Sequence, residues 1–254
     1  MLEIRDFSAG YGKKEVLFQI NANFSPGTVT AILGPNGCGK STLLKALCGI
    51  LPARGEVLLD GVSLPSLSQR QRAQMLSYLA QSRPVPDITV LRLVLHGRFP
   101  YLTFPRHYRR EDLEAANAAM ACLGISDLAD TPLSRLSGGQ RQKVYIAMVL
   151  AQDTPVVLLD EPTTYLDIAA QLQIMDQAQL LARQGKTVLV VLHDISRAMA
   201  RAQQLLVMER GQVLAAGTPE EIFACGALEQ AFSVKLRRIR VHNHWHYFCE
   251  EATP

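Results

Sequence analysis

Thr28-Val29-Thr30-Ala31-Ile32-Leu33 runs without a break into Gly34-Pro35-Asn36-Gly37-Cys38-Gly39-Lys40-Ser41, and Lys40 to Cys48 then reads as a helix closed by Gly49. The middle octapeptide fits GxxxxGK[ST] at every fixed position. An apolar strand, a glycine-rich turn and a helix in this order make a phosphate cradle. Glycines let the backbone curl so that several N–H groups point inward, and the helix N-terminus adds its own amides and dipole. Lys40 is then placed to reach the β- and γ-phosphates of a nucleotide, and Ser41 to hold Mg²⁺, with Thr42 next to it. The fold class this implies is an α/β nucleotide-binding core.

Working outward, Val156-Val157-Leu158-Leu159 is a buried-strand pattern that delivers Asp160 and Glu161 at its carboxyl end, the side on which open α/β sheets bind ligands. Asp160 suits the Mg²⁺ shell, and Glu161 is positioned to act as a general base toward water. His193 follows the strand Thr187-Leu192, and Gln81 follows Ser77-Tyr78-Leu79-Ala80. Both are polar residues at strand tips, where a γ-phosphate, metal or water contact is expected. A second glycine turn, Leu136-Ser137-Gly138-Gly139-Gln140, opens the helix Gly139-Ala151. It has the makings of an anion site without an anion of its own.

Strand and helix signals alternate along the rest. Phe18, Ile20, Ala22 and Phe24 recur at the period of a half-buried strand, and Gly55-Asp60 reads as another. Helical spacing covers Glu111-Gly124, Ile168-Arg183 and Ile195-Ala202, and strand signals return at Leu205-Glu209 and Gln212-Ala216. This predicts a mostly parallel sheet covered on both faces, built from about residues 1–81 and 152–254 and interrupted by a helical insert at 82–151. The chain of 254 residues, 48% hydrophobic and 19% charged with a formal charge of +3, matches a packed globular protein. So small a charge does not argue for nucleic acid. No apolar run reaches the length of a membrane span, and the N-terminus lacks a signal-peptide layout. Five scattered cysteines without a CxxC pair argue against a disulfide framework and for a reducing cytosol.

Together these residues resemble the ATP-binding subunit of an ABC (ATP-binding-cassette) transporter over nearly the full chain. Gly34-Ser41 and Val156-Glu161 match the Walker A and B motifs, Gln81 the Q-loop, Leu136-Gln140 the signature, Leu166-Asp167 the D-loop and His193 the switch histidine. Tyr11, in Gly10-Tyr11-Gly12, fits the aromatic that stacks on adenine. The resemblance implies a P-loop core with an N-terminal antiparallel β subdomain and an inserted α-helical subdomain. It also implies ATP and Mg²⁺ as cofactors and a head-to-tail dimer with a second copy, in which Ser137, Gly138, Gly139 and Gln140 of one cassette close on nucleotide held by Lys40 of the other. A coupling segment of an integral membrane permease would dock after the Q-loop, roughly at residues 83–104, where Phe99, Tyr101, Leu102 and Phe104 offer apolar anchors. A substrate-binding protein would be an indirect partner, and the cytoplasmic face of a bacterial inner membrane the location.

Ala151-Pro155, Thr163-Ala169 with Tyr165 in the D-loop, and Leu192-Ile195 resemble the ATPases of iron(III)-siderophore importers, with His96-Tyr101 in keeping. Haem and vitamin B12 import are the alternatives within that group, and a soluble cassette acting on DNA or ribosomes the alternative outside it. The stretch between Walker A and the signature holds compact helices instead of a long coiled coil, and the chain carries one cassette. Three smaller features complete the reading. Arg106-His107-Tyr108-Arg109-Arg110 is either a basic nucleic-acid patch or, with Glu111 and Asp112 following, a helix cap. His242, His244 and His246 share a face of one expected strand, as a metal site or as exposed side chains. Cys38, at a helix N-terminus, is expected to have a lowered thiol pKa.

Overall fold

The computed structural model describes residues 1–251 except Ser82, Pro84, Tyr165 and Asn243, with the side chains of His244 and Glu251 outside the description. Strands β1 (Leu2–Tyr11) and β2 (Lys14–Phe24) pair antiparallel, and β3 (Val29–Leu33) leads through the glycine loop into α1 (Lys40–Leu47). Next come β4 (Ala53–Leu59), the short β5 (Val62–Ser63), α2 (Gln69–Met75) and β6 (Leu76–Leu79). Three helices then follow in series: α3 (Val90–His96), α4 (Arg110–Cys122) and α5 (Gly138–Gln152). Alternation resumes with β7 (Val156–Asp160), α6 (Ile168–Arg183), β8 (Thr187–Val191) and α7 (Ile195–Arg201). The hairpin β9 (Gln204–Glu209) and β10 (Gln212–Gly217) is followed by α8 (Pro219–Cys225), α9 (Ala227–Phe232), β11 (Val234–Val241) and β12 (His244–Glu251).

The central sheet has the order β10-β9-β3-β8-β7-β6, parallel except for β10 at its edge. Its middle strands are continuous apolar runs because both faces are covered. Val157 and Leu159 of β7 and Val188 and Val190 of β8 join the core shared with α3 to α6. Their neighbours Val156, Leu158, Leu189 and Val191 join the other core, with α1 and the β2-β1-β4-β5 antiparallel sheet. Helices α3, α4 and α5 pack on one another, and α5 also touches β6. The carboxyl ends of β3, β6, β7 and β8 therefore converge on one rim, where the loop before α1 lies.

Two sequence expectations give way here. Phe18 does not share the buried face of β2. Leu17, Ile20 and Phe24 are buried, whereas Phe18 is 39% exposed. Gln19 takes a left-handed backbone (φ 50°), and the register with β1 shifts between Phe7 and Ala9, so a bulge resets the alternation. At the C-terminus, His242 sits in the turn between β11 and β12 with φ 44°, so the three histidines do not lie along one strand. Among the described residues, no cluster of His, Cys, Asp and Glu suits a metal ion. The basic run at 106–110 leads into α4, where the Asp112 carboxylate accepts from the Arg109 N–H (2.9 Å) and from Arg98 Nε (3.0 Å). That is the helix-cap alternative.

Candidate functional site

A cleft of about 350 Å³ opens on the rim, lined by Asn36, Gly37, Gly39, Lys40, Ser41, Thr42, Gln81, Glu161 and His193. The glycine loop is sharply bent for reasons visible in its packing. Gly39 has φ 108°, and a Cβ there would sit 2.6 Å from Leu17 Cδ2. At Gly34 a Cβ would run into the Met208 carbonyl. Lys40 is buried, and its ammonium donates to the carbonyl oxygens of Gly34 (2.7 Å) and Pro35 (3.0 Å), which curls the loop around the lysine. The first turn of α1 leaves its amides without intrahelical acceptors, facing the same space. This is the chemistry of a polyphosphate cradle.

Asp160 ends β7 and is fully buried. Its carboxylate accepts from Ser41 Oγ at 2.9 Å and from Tyr78 OH at 3.1 Å. Burial pushes its pKa up, and the two hydroxyl donors pull against that shift. The same burial, with the Asp160 charge second, raises the Tyr78 phenol. The next residue, Glu161, has left-handed backbone (φ 50°), which turns its side chain out of the strand into the cleft. There Gln81 Nε2 donates to Oε2 at 2.7 Å, and His193 Nε2 lies 2.6 Å from Oε1. Gln81 spends its amide nitrogen on Glu161, and among the described residues no donor is bonded to its oxygen. Ser41, bonded to Asp160, and Gln81, which lines the same cleft as Ser41, offer oxygen donors of the type that suits a hard cation such as Mg²⁺.

Cys38 corrects an expectation. Its thiol pKa is raised, because burial outweighs the lowering by nearby Lys40, whose Nζ is 3.9 Å from the sulfur. Tyr11 lies at the end of β1, 47% exposed, and is not among the residues lining the cleft. The second glycine turn lies apart from it as well. Ser137 and Gly138 are exposed, Gly139 is half-buried, and none of Ser137, Gly138, Gly139 and Gln140 lines the cleft among the described residues. Ser137 Oγ accepts from the Gln140 N–H at 3.2 Å, and the Ser137 N–H donates to Gln140 Oε1 at 3.0 Å, a reciprocal cap on α5.

The sequence profile of the ABC transporter family matches residues 17–164, which include both the phosphate cradle and the capped glycine turn. This chain belongs to the ABC transporter family. Among curated ABC relatives, the ferric enterobactin transport ATP-binding protein FepC of Escherichia coli (strain K12) is 43% identical over 229 residues, covering 89% of this chain and 84% of FepC. A solved metal-chelate type ABC transporter in an inward-facing conformation superposes with a TM-score of 0.83 at 27% identity, covering 98% of this chain and 96% of that one. The dimeric bacterial ABC transporter cassette MJ0796 superposes with a TM-score of 0.76 at 27% identity, covering 86% and 99%.

Within this ABC cassette the sequence reading missed Tyr78, Arg83 and Gln142. Tyr78 was legible in principle, since it lies on the strand paired with β7, opposite Leu158. Arg83 and Gln142 carry no motif. Tyr165, on which the cargo subtype leaned, lies outside the described residues. No helix among the described residues is long and apolar enough to cross a membrane.

Proposed function

We propose that this cassette hydrolyses ATP sandwiched between two copies of the chain and thereby powers import of an iron(III)-siderophore chelate through an inner-membrane permease, on whose cytoplasmic face it sits. The observation that carries the reading is the convergence of Lys40, the Ser41–Asp160 pair and the Gln81–Glu161–His193 cluster on one cleft. The triphosphate lies along Asn36 to Thr42, and Lys40 exchanges the carbonyls of Gly34 and Pro35 for phosphate oxygens. Tyr11 is assigned to the adenine. Ser41, Asp160 and Gln81 would hold Mg²⁺, which supplies charge neutralisation on the β- and γ-phosphate oxygens. Glu161 takes the proton of the attacking water, with Gln81 and His193 holding its carboxylate in place.

The Ser137-Gly138-Gly139 cap, exposed at Ser137 and Gly138, faces the nucleotide of the second copy, in keeping with the dimeric cassette of similar fold. Residues 82–151 act as the helical subdomain between the two parts of the core. A cleft of about 770 Å³ beside it is lined by Arg70, Phe99, Leu102, Phe104 and Arg106, with Phe104 95% exposed, and suits a short permease segment. Siderophore cargo rests on FepC and on the metal-chelate type neighbour.

The test is reconstitution in liposomes of the chain with its polytopic partner and iron-binding protein. Ferric siderophore should stimulate ATP hydrolysis and enter the vesicles. Stimulation by haem alone would sink the cargo assignment, and failure to associate with any polytopic protein would sink the transporter assignment.

A further inference from the structure

Gln142 lies five residues past the Ser137 cap, buried in α5, and reaches out of its helix in two directions. Its Nε2 donates to the carbonyl oxygen of Pro162 at 2.5 Å, and its Oε1 accepts from Arg83 Nη2 at 2.6 Å. Only this orientation of the amide satisfies both neighbours, because a flip would set donor against donor and acceptor against acceptor. Arg83 is held from below by Tyr145, one turn further along α5, with the guanidinium 4.6 Å from the ring centroid. Among the described residues its buried Nη1 has no hydrogen-bond acceptor, and Gln142 is an acceptor that anchors this fork through Nη2.

Both ends of this bridge lead to Glu161. Pro162 follows it directly, in a turn where Thr164 Oγ1 donates to the Glu161 carbonyl at 3.2 Å. Arg83 is two residues from Gln81, whose amide grips the Glu161 carboxylate. Glu161 itself has the left-handed backbone that a side chain with a Cβ disfavours. Such a conformation persists only where its surroundings over-determine it. Gln142 supplies one of those constraints from the helix that begins with the signature.

We propose that Arg83 and Gln142 are positioning residues that tie the signature helix to the Glu161-Pro162 turn of the same chain, so that closure of this helix on a partner's nucleotide sets the aim of Glu161 in its own cleft. The proposal rests on the head-to-tail ATPase reading above. The tie links the two half-sites that one chain contributes, and it runs through a rigid helix and two short hydrogen bonds.

The experiment compares the wild type with Gln142→Leu, Gln142→Glu, Arg83→Ala and the double variant Arg83→Ala/Gln142→Leu. Steady-state ATP hydrolysis, ATP binding by equilibrium dialysis and amide exchange of the 161–166 segment in nucleotide-free protein are measured on each. Gln142→Glu keeps the Arg83 partner but sets a carboxylate against the Pro162 carbonyl, so it should behave like Gln142→Leu. Expected are a kcat lowered about tenfold or more with ATP Kd within about twofold, a Hill coefficient for ATP falling toward one, and faster exchange at 161–166. The double variant should be no worse than Gln142→Leu, as for residues acting in one chain of contacts.

Multiplying single effects, a Kd rising in step with the fall in kcat, or an unchanged Hill coefficient would each overturn the proposal. Unchanged exchange in all variants would do so even if the wild type hydrolysed no ATP, whereas absent hydrolysis alone would count against the ATPase reading.

Discussion

Asp160 shows how burial sets the properties of a single residue here. Its carboxylate is fully buried between the hydroxyls of Ser41 and Tyr78, and its pKa is raised. A raised carboxyl pKa means that the folded chain binds the proton more tightly than the unfolded chain. Stability is therefore lost as pH rises from the unfolded value of about 3.9 through the higher folded one. Asp160→Asn removes the buried charge while keeping an acceptor for Ser41. At pH 7.5 without nucleotide it should raise Tm by about 2 °C or more, a gain that disappears below about pH 4, while ATP hydrolysis is lost. Scanning calorimetry at the two pH values checks this, and a lower Tm at pH 7.5 would contradict it. Cys38 follows the same physics in a place where sequence misleads. A helix N-terminus and a lysine two residues away both favour a thiolate, yet the side chain is buried and burial wins. With maleimide at pH 8, Cys122 and Cys225, both exposed, should label before Cys38. The Cys38 rate should keep climbing above the ordinary thiol pKa of about 8.5, as followed by peptide mass spectrometry. Burial is a property of the assembled core, which is why the motif alone pointed the other way.

At the scale of elements, legibility tracked how local each cause is. Strands β3, β7 and β8 announce themselves as mostly apolar, fully buried runs that lead to functional residues, since both their faces are covered. The β2 alternation failed because a bulge at Gln19 answers to the pairing with β1, which no residue of β2 encodes by itself. The C-terminal hairpin failed similarly, with its turn at His242 placed where a continuous strand was expected. The α5 cap was legible because it is local: Ser137 and Gln140 satisfy each other three residues apart. In the single chain the Ser137 hydroxyl is occupied as an acceptor, and its proton remains free to be donated. Ser137→Ala should then cost about 1 kcal/mol of stability, a fall in Tm of about 2–4 °C. In a Glu161→Gln background it should weaken ATP-driven pairing by more than that loss explains. Calorimetry and sedimentation together separate the two effects, and equal small losses in both would reduce Ser137 to a cap.

For the whole molecule, the cleft and the capped glycine turn of one chain lie apart, as the proposed sandwich requires. The cleft gathers Lys40, Ser41, Glu161, Gln81 and His193, while Ser137 and Gly138 lie exposed outside it. The completion proposed above is a second copy related by a two-fold axis, each cap covering the other's cleft. The sequence resemblance implies that pairing, and a capped glycine turn without its own anion is in keeping with it. In the proposed pair, nucleotide would close the two copies and loss of the γ-phosphate would reopen them. Glu161→Gln keeps the hydrogen-bonding shape of the side chain toward Gln81 and His193 but cannot take a proton from water. With ATP and Mg²⁺ it should therefore run as two chains on a sizing column with light scattering, and with ADP as one. Lys40→Ala removes the ammonium that neutralises the phosphates and should run as one chain with either nucleotide. If Glu161→Gln stays a single chain at millimolar ATP while binding it, the two half-sites do not complete each other and the sandwich is wrong.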